Sequence, residues 1–513
     1  MKAVRSIWQR FTVLLSFAVV VYLGGVLLQS VAQPQIQPRL ELYQTNLLLH
    51  AAEWQALNQS EAESPGVGRV LWGGDPFAAA LEQYQDIQVS LEDQQAAADQ
   101  APDPELINPE RQEPVDQLEV LLRDLDLKIG LLQARQGELA LAQERWQQIQ
   151  ETQPQNAEVL PLVQTAQVLA GLWSDPVWLL PTAEAQIQQN LKGWFRYQGL
   201  ARLYQIQQRP GELAQLQAQE RGAMEQAIAK LMIVETLPVL VSLVGLGLLV
   251  FLVVQRCRQG QDSLLARNAD RPWPTPWNWE TVLQVVVLGF FVVGQLLGGQ
   301  IVVPLGFQGL LGIDPTAATG TLQALVVLVA YFSAAGGTLL ILYLALKPFL
   351  PLPEGWFRVQ WRGPWLWWAL GGYSVALPLV ILVSWFNQAF WQGEGGSNPL
   401  LSLALDDPNW LTLVIFFTMA AIAAPIFEEI LFRGFLLPSL TRYVPVWGAI
   451  GLSSLFFAVA HLKLAQVLPL TALGMVLGIV YTRSRNLLAP MLLHSLWNGA
   501  TLMGLFILGS GAE

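Results

Sequence analysis

The chain is poor in the residues that build most familiar catalytic and redox sites. It has one cysteine, Cys257, three histidines, and Asp, Glu, Lys and Arg make up only 13% of its 513 residues. One cysteine excludes an internal disulfide framework and any cysteine-rich zinc site. The sequence has no HExxH, which excludes the familiar helix-borne zinc site. It has no basic patch of the kind that holds nucleic acid. What it has in excess is apolar surface, with 53% hydrophobic residues. The net charge of −11 is unevenly spread: residues 31–230 hold 27 acidic and 13 basic side chains, the remainder 12 and 15. That combination describes an integral membrane protein carrying an acidic soluble part.

The apolar runs place the spans. Lys2, Arg5 and Arg10 precede an uncharged run over 11–28. It is long for a signal-peptide core and lacks a small-x-small cleavage site, so residues 1–30 read as an uncleaved anchor. Residues 231–255 hold a second membrane helix, followed by a basic linker over 256–279 rich in Pro and Trp. Further runs at about 281–305, 320–346, 364–390, 411–433, 446–462, 466–482 and 487–509 are each near the ~20 residues that cross a bilayer. The expectation is an all-α, polytopic chain of about nine spans, with a soluble helical-hairpin domain between spans 1 and 2. Charge sets the orientation. With the N-terminus inside, Arg256, Arg258, Arg267, Arg271, Lys347, Arg358, Arg362, Arg442, Arg483 and Arg485 fall on the inner side. Residues 30–230 then lie outside the cytoplasm, across a bacterial inner membrane or a thylakoid-like membrane.

Within that soluble part, 31–116 is Gln- and Pro-rich and reads as partly flexible, with a linker over 93–115. His50 reads as structural, and Trp54 and Trp72 offer no chemistry. From 117 to 230 the spacing is that of tetratricopeptide hairpins. Gly130 and Gly137 stand seven apart, and Ala142, Trp146, Ile149 and Pro154 follow at the expected intervals. Gln133 departs from the pattern, which usually has Tyr there. A weaker echo runs from Trp194 through Tyr204 to Gly211. Such hairpins stack into surfaces that bind protein segments, which implies a protein partner on this domain.

The chemistry lies in the last third. Glu428, Glu429 and Arg433 interrupt an apolar run, although an ionised side chain at membrane depth costs about 2.5–3.5 kcal/mol. On a helix Glu429 and Arg433 share a face and can pair, which leaves Glu428 for another partner. Downstream, His461 ends Phe457-Ala458-Val459-Ala460-His461, and Asn498 follows His494 by one turn. Carboxylate, imidazole, imidazole and carboxamide can together activate water and stabilise an oxyanion.

EExxxR, FxxxH and HxxxN in this order, on successive membrane helices, resemble the CPBP family. That family holds the type II CAAX prenyl endopeptidases and bacteriocin-processing or self-immunity proteins, and the resemblance covers residues 280–510. It implies an intramembrane endopeptidase with a conical helical cavity, acting on a membrane-bound protein or peptide. By motif position Glu428 is the general base, supported by Glu429 and Arg433, while His461, His494 and Asn498 line the water and oxyanion site. Two versions stay open. In one, zinc held by Glu428, His461 and His494 lowers the pKa of a bound water. The other is metal-free, with oxyanion donors from His494 and Asn498; it is preferred here because Asn is a poor zinc ligand. A different class of reading is a non-catalytic scaffold or immunity protein that works through its outer domain. A transporter would show paired interrupted helices in two similar halves, and the sequence lacks them.

Overall fold

The computed structural model describes residues 2–32, 35, 37–58, 75–99, 112–151, 159–315, 317–391, 395–397 and 409–509. Among these residues all regular structure is helical. In chain order the helices are α1 (Lys2–Gln29), α2 (Gln37–Asn58), α3 (Pro76–Asp99), α4 (Gln112–Gln136), α5 (Leu139–Glu151), α6 (Leu160–Leu172), α7 (Ala183–Asn190), α8 (Gly193–Ile206), α9 (Pro210–Leu231), α10 (Leu237–Gln259), α11 (Trp279–Leu311), α12 (Gly320–Leu346), α13 (Trp365–Trp391), α14 (Trp410–Leu440), α15 (Val446–Val459), α16 (Val467–Ser484) and α17 (Leu488–Gly509). The chain divides into two compact units, Met1–Ile36 with Thr236–Gly509, and Gln37–Glu235.

The first unit contains the apolar spans, and the chain is an integral membrane protein. Among the described residues eight helical stretches are long and apolar enough to cross a bilayer. The ninth expected span, at 446–462, is different. It forms α15, a helix of 14 residues, which at 1.5 Å per residue reaches ~21 Å against a ~30 Å hydrocarbon core. The helix stops because the chain turns: Leu462 has φ +58°, and the next residues bond elsewhere. Leu464 N–H donates to Ser30 Oγ (3.0 Å) and Ala465 N–H to the Gly395 carbonyl (3.2 Å). These bonds tie the end of α15 to the end of α1.

Close packing in this unit depends on small residues. On α10, a Cβ at Gly245 would stand 1.7 Å from the Ser374 carbonyl oxygen, so α10 and α13 touch backbone to backbone. The basic linker is packed down by its tryptophans. Trp277 is fully buried and donates Nε1–H to Ser439 Oγ (2.9 Å), and Trp273 N–H donates to Thr441 Oγ1 (3.0 Å). Two hydroxyls near the end of α14 thereby hold the linker against the helix that carries the carboxylates.

The second unit is a set of helical hairpins. In the stretch 31–116 that reads as partly flexible, α2 and α3 are helical. Of the linker expected over 93–115, residues 93–99 and 112–115 are helical and 100–111 lie outside the described residues, as do Trp72 and Pro154. α4 and α5 meet at Gly137, which has φ +87°. Their contact is set by Gly130, where a Cβ would stand 2.4 Å from Trp146 Nε1. Trp146, Ala142 and Ile149 are fully buried, as is Trp194 on α8. The polar groups inside are paired. His50 and Glu220 join α2 to α9 at 2.5 Å (Nδ1 to Oε1). Glu53 accepts from Trp194 Nε1 (3.2 Å) and Gln198 Nε2 (3.0 Å).

Candidate active site

The Glu428–Arg433 segment lies within α14 where regular helical bonding over Ala424–Glu428 passes into wider π-type turns over Glu429–Leu436. Single π turns inside helices recur at functional sites, because they rotate following side chains and free a carbonyl. Arg433 Nη1 donates to Glu429 Oε1 at 2.7 Å, and both side chains are fully buried. The same guanidinium donates Nη2–H to the Gly474 carbonyl (3.2 Å) and lies 4.5 Å from the centroid of Phe457. A buried pair of this kind repays its desolvation only with good geometry and further bonds, and the two bonds with the ring supply them.

His494, on the second turn of α17, is buried and meets the same carboxylate: its Nδ1 lies 3.0 Å from Glu429 Oε1. With Arg433 donating to the same oxygen, Nδ1–H is the natural donor to Glu429, and Nε2 is turned elsewhere. It is turned to Glu428, whose Oε2 stands 3.9 Å away, beyond direct hydrogen-bond length. Glu428 is the one acid of the pair with an open edge, its side chain 17% exposed where Glu429 is at 0%. The result is a chain of groups, Arg433–Glu429–His494–Glu428, closed at one end and open at the other. It can orient an imidazole, hold a proton on a defined nitrogen and leave a carboxylate beside it to take a proton from water.

The other two expected residues sit at the margin. His461 lies just past the end of α15. Its ring N–H at Nδ1 donates to the Phe457 carbonyl (2.9 Å). Its ring packs edge-on to Phe457 with centroids 5.0 Å apart, and His494 packs on the same Phe457 at 5.6 Å. Phe457 therefore touches both imidazoles and the Arg433 guanidinium. Asn498 donates Nδ2–H to the Ala420 carbonyl (2.7 Å), in the π-type segment Thr418–Ala423. One of its two amide N–H groups thus ties α17 to α14. The zinc triad Glu428, His461 and His494 is not assembled. Among the described residues no three His, Cys, Asp or Glu side chains are grouped to hold a metal ion. Sequence reasoning missed the carbonyls of Ala420 and Gly474, which no local pattern marks.

Residues 409–500 match the model of the family described as type II CAAX prenyl endopeptidase Rce1-like. All six expected site residues fall inside that match. The chain is similar to the membrane-embedded CAAX protease MroQ of Staphylococcus aureus, with 25% identity over 43% of this chain and 87% of MroQ. It is also similar to YdiL of Bacillus subtilis, which carries a membrane-peptidase name, with 27% identity over 26% of this chain and 52% of YdiL. No solved structure matches the chain.

Proposed function

We propose that the chain is an intramembrane endopeptidase of the CPBP type that hydrolyses a peptide bond in a membrane-associated protein. The observation that carries this reading is the open Glu428 carboxylate facing Nε2 of an imidazole, whose other nitrogen is held by the buried Glu429–Arg433 pair. The similarity of the surrounding region to CAAX proteases supports the same class.

In the proposed mechanism Glu428 takes a proton from water, and the water oxygen attacks the scissile carbonyl carbon. The carbonyl electrons move onto oxygen. As the tetrahedral intermediate collapses, the C–N bond breaks and the proton passes from Glu428 to the leaving amine. His494, held in one tautomer by Glu429, bonds the water through Nε2 and follows the proton. This is the metal-free version, in which Glu428 and His494 handle the water without a bound ion. The substrate is of the CAAX-like, membrane-bound class, and the helical-hairpin unit, read as tetratricopeptide-like, would bind a protein segment. The arginine distribution supports an orientation with residues 30–230 outside the cytoplasm. A reporter fused near residue 150 should then score as extracytoplasmic and one near Arg267 as cytoplasmic.

The experiment is digestion of a library of synthetic membrane peptides by the purified full-length protein, with and without chelator, and by His494→Ala. Cleavage that persists with chelator and is lost in His494→Ala is expected. Absence of cleavage by the wild type overturns the enzyme reading, and loss under chelator overturns the metal-free version.

A further inference from the structure

Tyr331, on α12, carries a hydroxyl that is buried and has no hydrogen-bond partner. Leaving such a group unpaired is costly, and phenylalanine would fill the same space without that cost. The position of the ring suggests what the hydroxyl is for. It stands edge-on to Phe427, centroids 6.1 Å apart and planes at 88°. Phe427 directly precedes Glu428 and stacks on Phe290 at 6.4 Å, so the Tyr331 ring is fixed by an aromatic layer on the chain that presents the carboxylate. An unused donor is therefore held against Phe427, the residue next to the open acid of the cluster. Asn498 gives one of its two amide N–H groups to Ala420.

Building on the hydrolase reading above, we propose that the Tyr331 hydroxyl is the donor that receives the oxyanion when Glu428-activated water attacks the scissile carbonyl. Tyr331 keeps its proton throughout. Water loses one proton to Glu428 and forms the new C–O bond, the carbonyl oxygen takes up the displaced electron pair, and the phenol O–H points at it. The bond exists only once the charge has formed, so it lowers the barrier without tightening substrate binding. This also gives the orphaned hydroxyl a partner at the one moment it is needed. Tyr331 is a catalytic residue in the strict sense, since it touches the reacting oxygen.

The test uses the full-length protein in detergent, steady-state kinetics on the best-cleaved peptide of the membrane library, and thermal unfolding. Tyr331→Phe should lower kcat by about 10²-fold with KM changed by less than about twofold. Its Tm should equal or exceed that of the wild type, because an unpaired buried hydroxyl has been removed. A clearly lower Tm shows that the hydroxyl was already bonded in the resting protein and overturns the proposal. So does a Tyr331→Phe kcat within about twofold of wild type while Glu428→Gln is inactive, a result that leaves the hydrolase reading standing. If the wild type cleaves nothing, the hydrolase reading falls and the Tyr331 role falls with it.

Discussion

The two units of this protein bury charge in opposite ways. In the helical-hairpin unit the buried carboxylates have close partners, although Arg123 Nε, Gln133 Oε1 and Gln136 Nε2 there are buried without one. Glu53 accepts from Trp194 and Gln198 on one oxygen and faces Arg135 with the other. Asp126 accepts from Arg145 (2.6 Å) and Gln88 (2.9 Å), with Arg123 at 3.6 Å, and Glu220 has His50. The membrane unit, where an unpaired polar group costs more, leaves its bonding incomplete. Glu429 Oε2, Arg433 Nε and the Tyr331 hydroxyl are buried without partners, and Glu428 has His494 only at 3.9 Å. Saturated networks fix a fold. An unsaturated one, placed where it is most costly, is what a site for a transient ligand looks like before the ligand arrives.

The comparison can be broken at several points. The largest effect is expected from Arg433→Ala, which strands the buried Glu429 and should cost about 3–5 kcal/mol, read as a large fall in Tm and in the yield of folded protein. A wild-type Tm would mean that the Arg433 guanidinium, bonded to Glu429 and to the Gly474 carbonyl of α16, is not what holds this region together. In the hairpin unit, Gly130→Val drives a branched side chain into the Trp146 indole and should cost about 1–3 kcal/mol. Unfolding monitored by tryptophan fluorescence should report it, while peptidase activity of the remaining folded protein is unchanged. An unaltered melting curve would argue against the tight α4–α5 contact.

The smallest effect concerns pH. Arg209 and Tyr204 both donate to Glu184 (2.7 and 2.8 Å), and these bonds hold its carboxyl below the usual carboxylate range. A depressed acid stabilises the fold above its unfolded pKa and loses that contribution as the pH falls through its folded pKa. Glu184→Gln should therefore lower stability slightly at pH 7, by less than about 1 kcal/mol for so exposed a pair, and the difference should vanish once acid has protonated Glu184 in both states. A difference that grows toward acid would reverse the sign of the argument.

What could be read ahead of the structure was whatever depends on spacing along one helix. Glu429 and Arg433 are four apart, and they pair. Gly130 and Trp146 belong to one hairpin pattern, and they touch. What could not be read depends on where different helices end. The sequence assigns His494 to the oxyanion and leaves Glu429 to Arg433, yet Glu429 Oε1 takes both partners, because α17 begins deep enough to bring its second turn level with α14. Asn498 also binds the Ala420 carbonyl, in a stretch of π-type turns that no residue pattern announces. The run at 446–462 has a span's composition but not its length, because the chain turns after Ala460 to meet Ser30 and Gly395. Tyr331 is over ninety residues from Glu428 and carries no motif, so only packing reveals it.

The account depends most on Glu428 being the base, and one substitution tests that. Glu428→Gln keeps the size and shape of the side chain and removes its capacity to take a proton. Peptide cleavage by the purified variant should fall by at least about 10²–10⁴-fold, while its Tm and membrane insertion match those of the wild type. Cleavage at the wild-type rate by a folded Glu428→Gln protein would contradict the account.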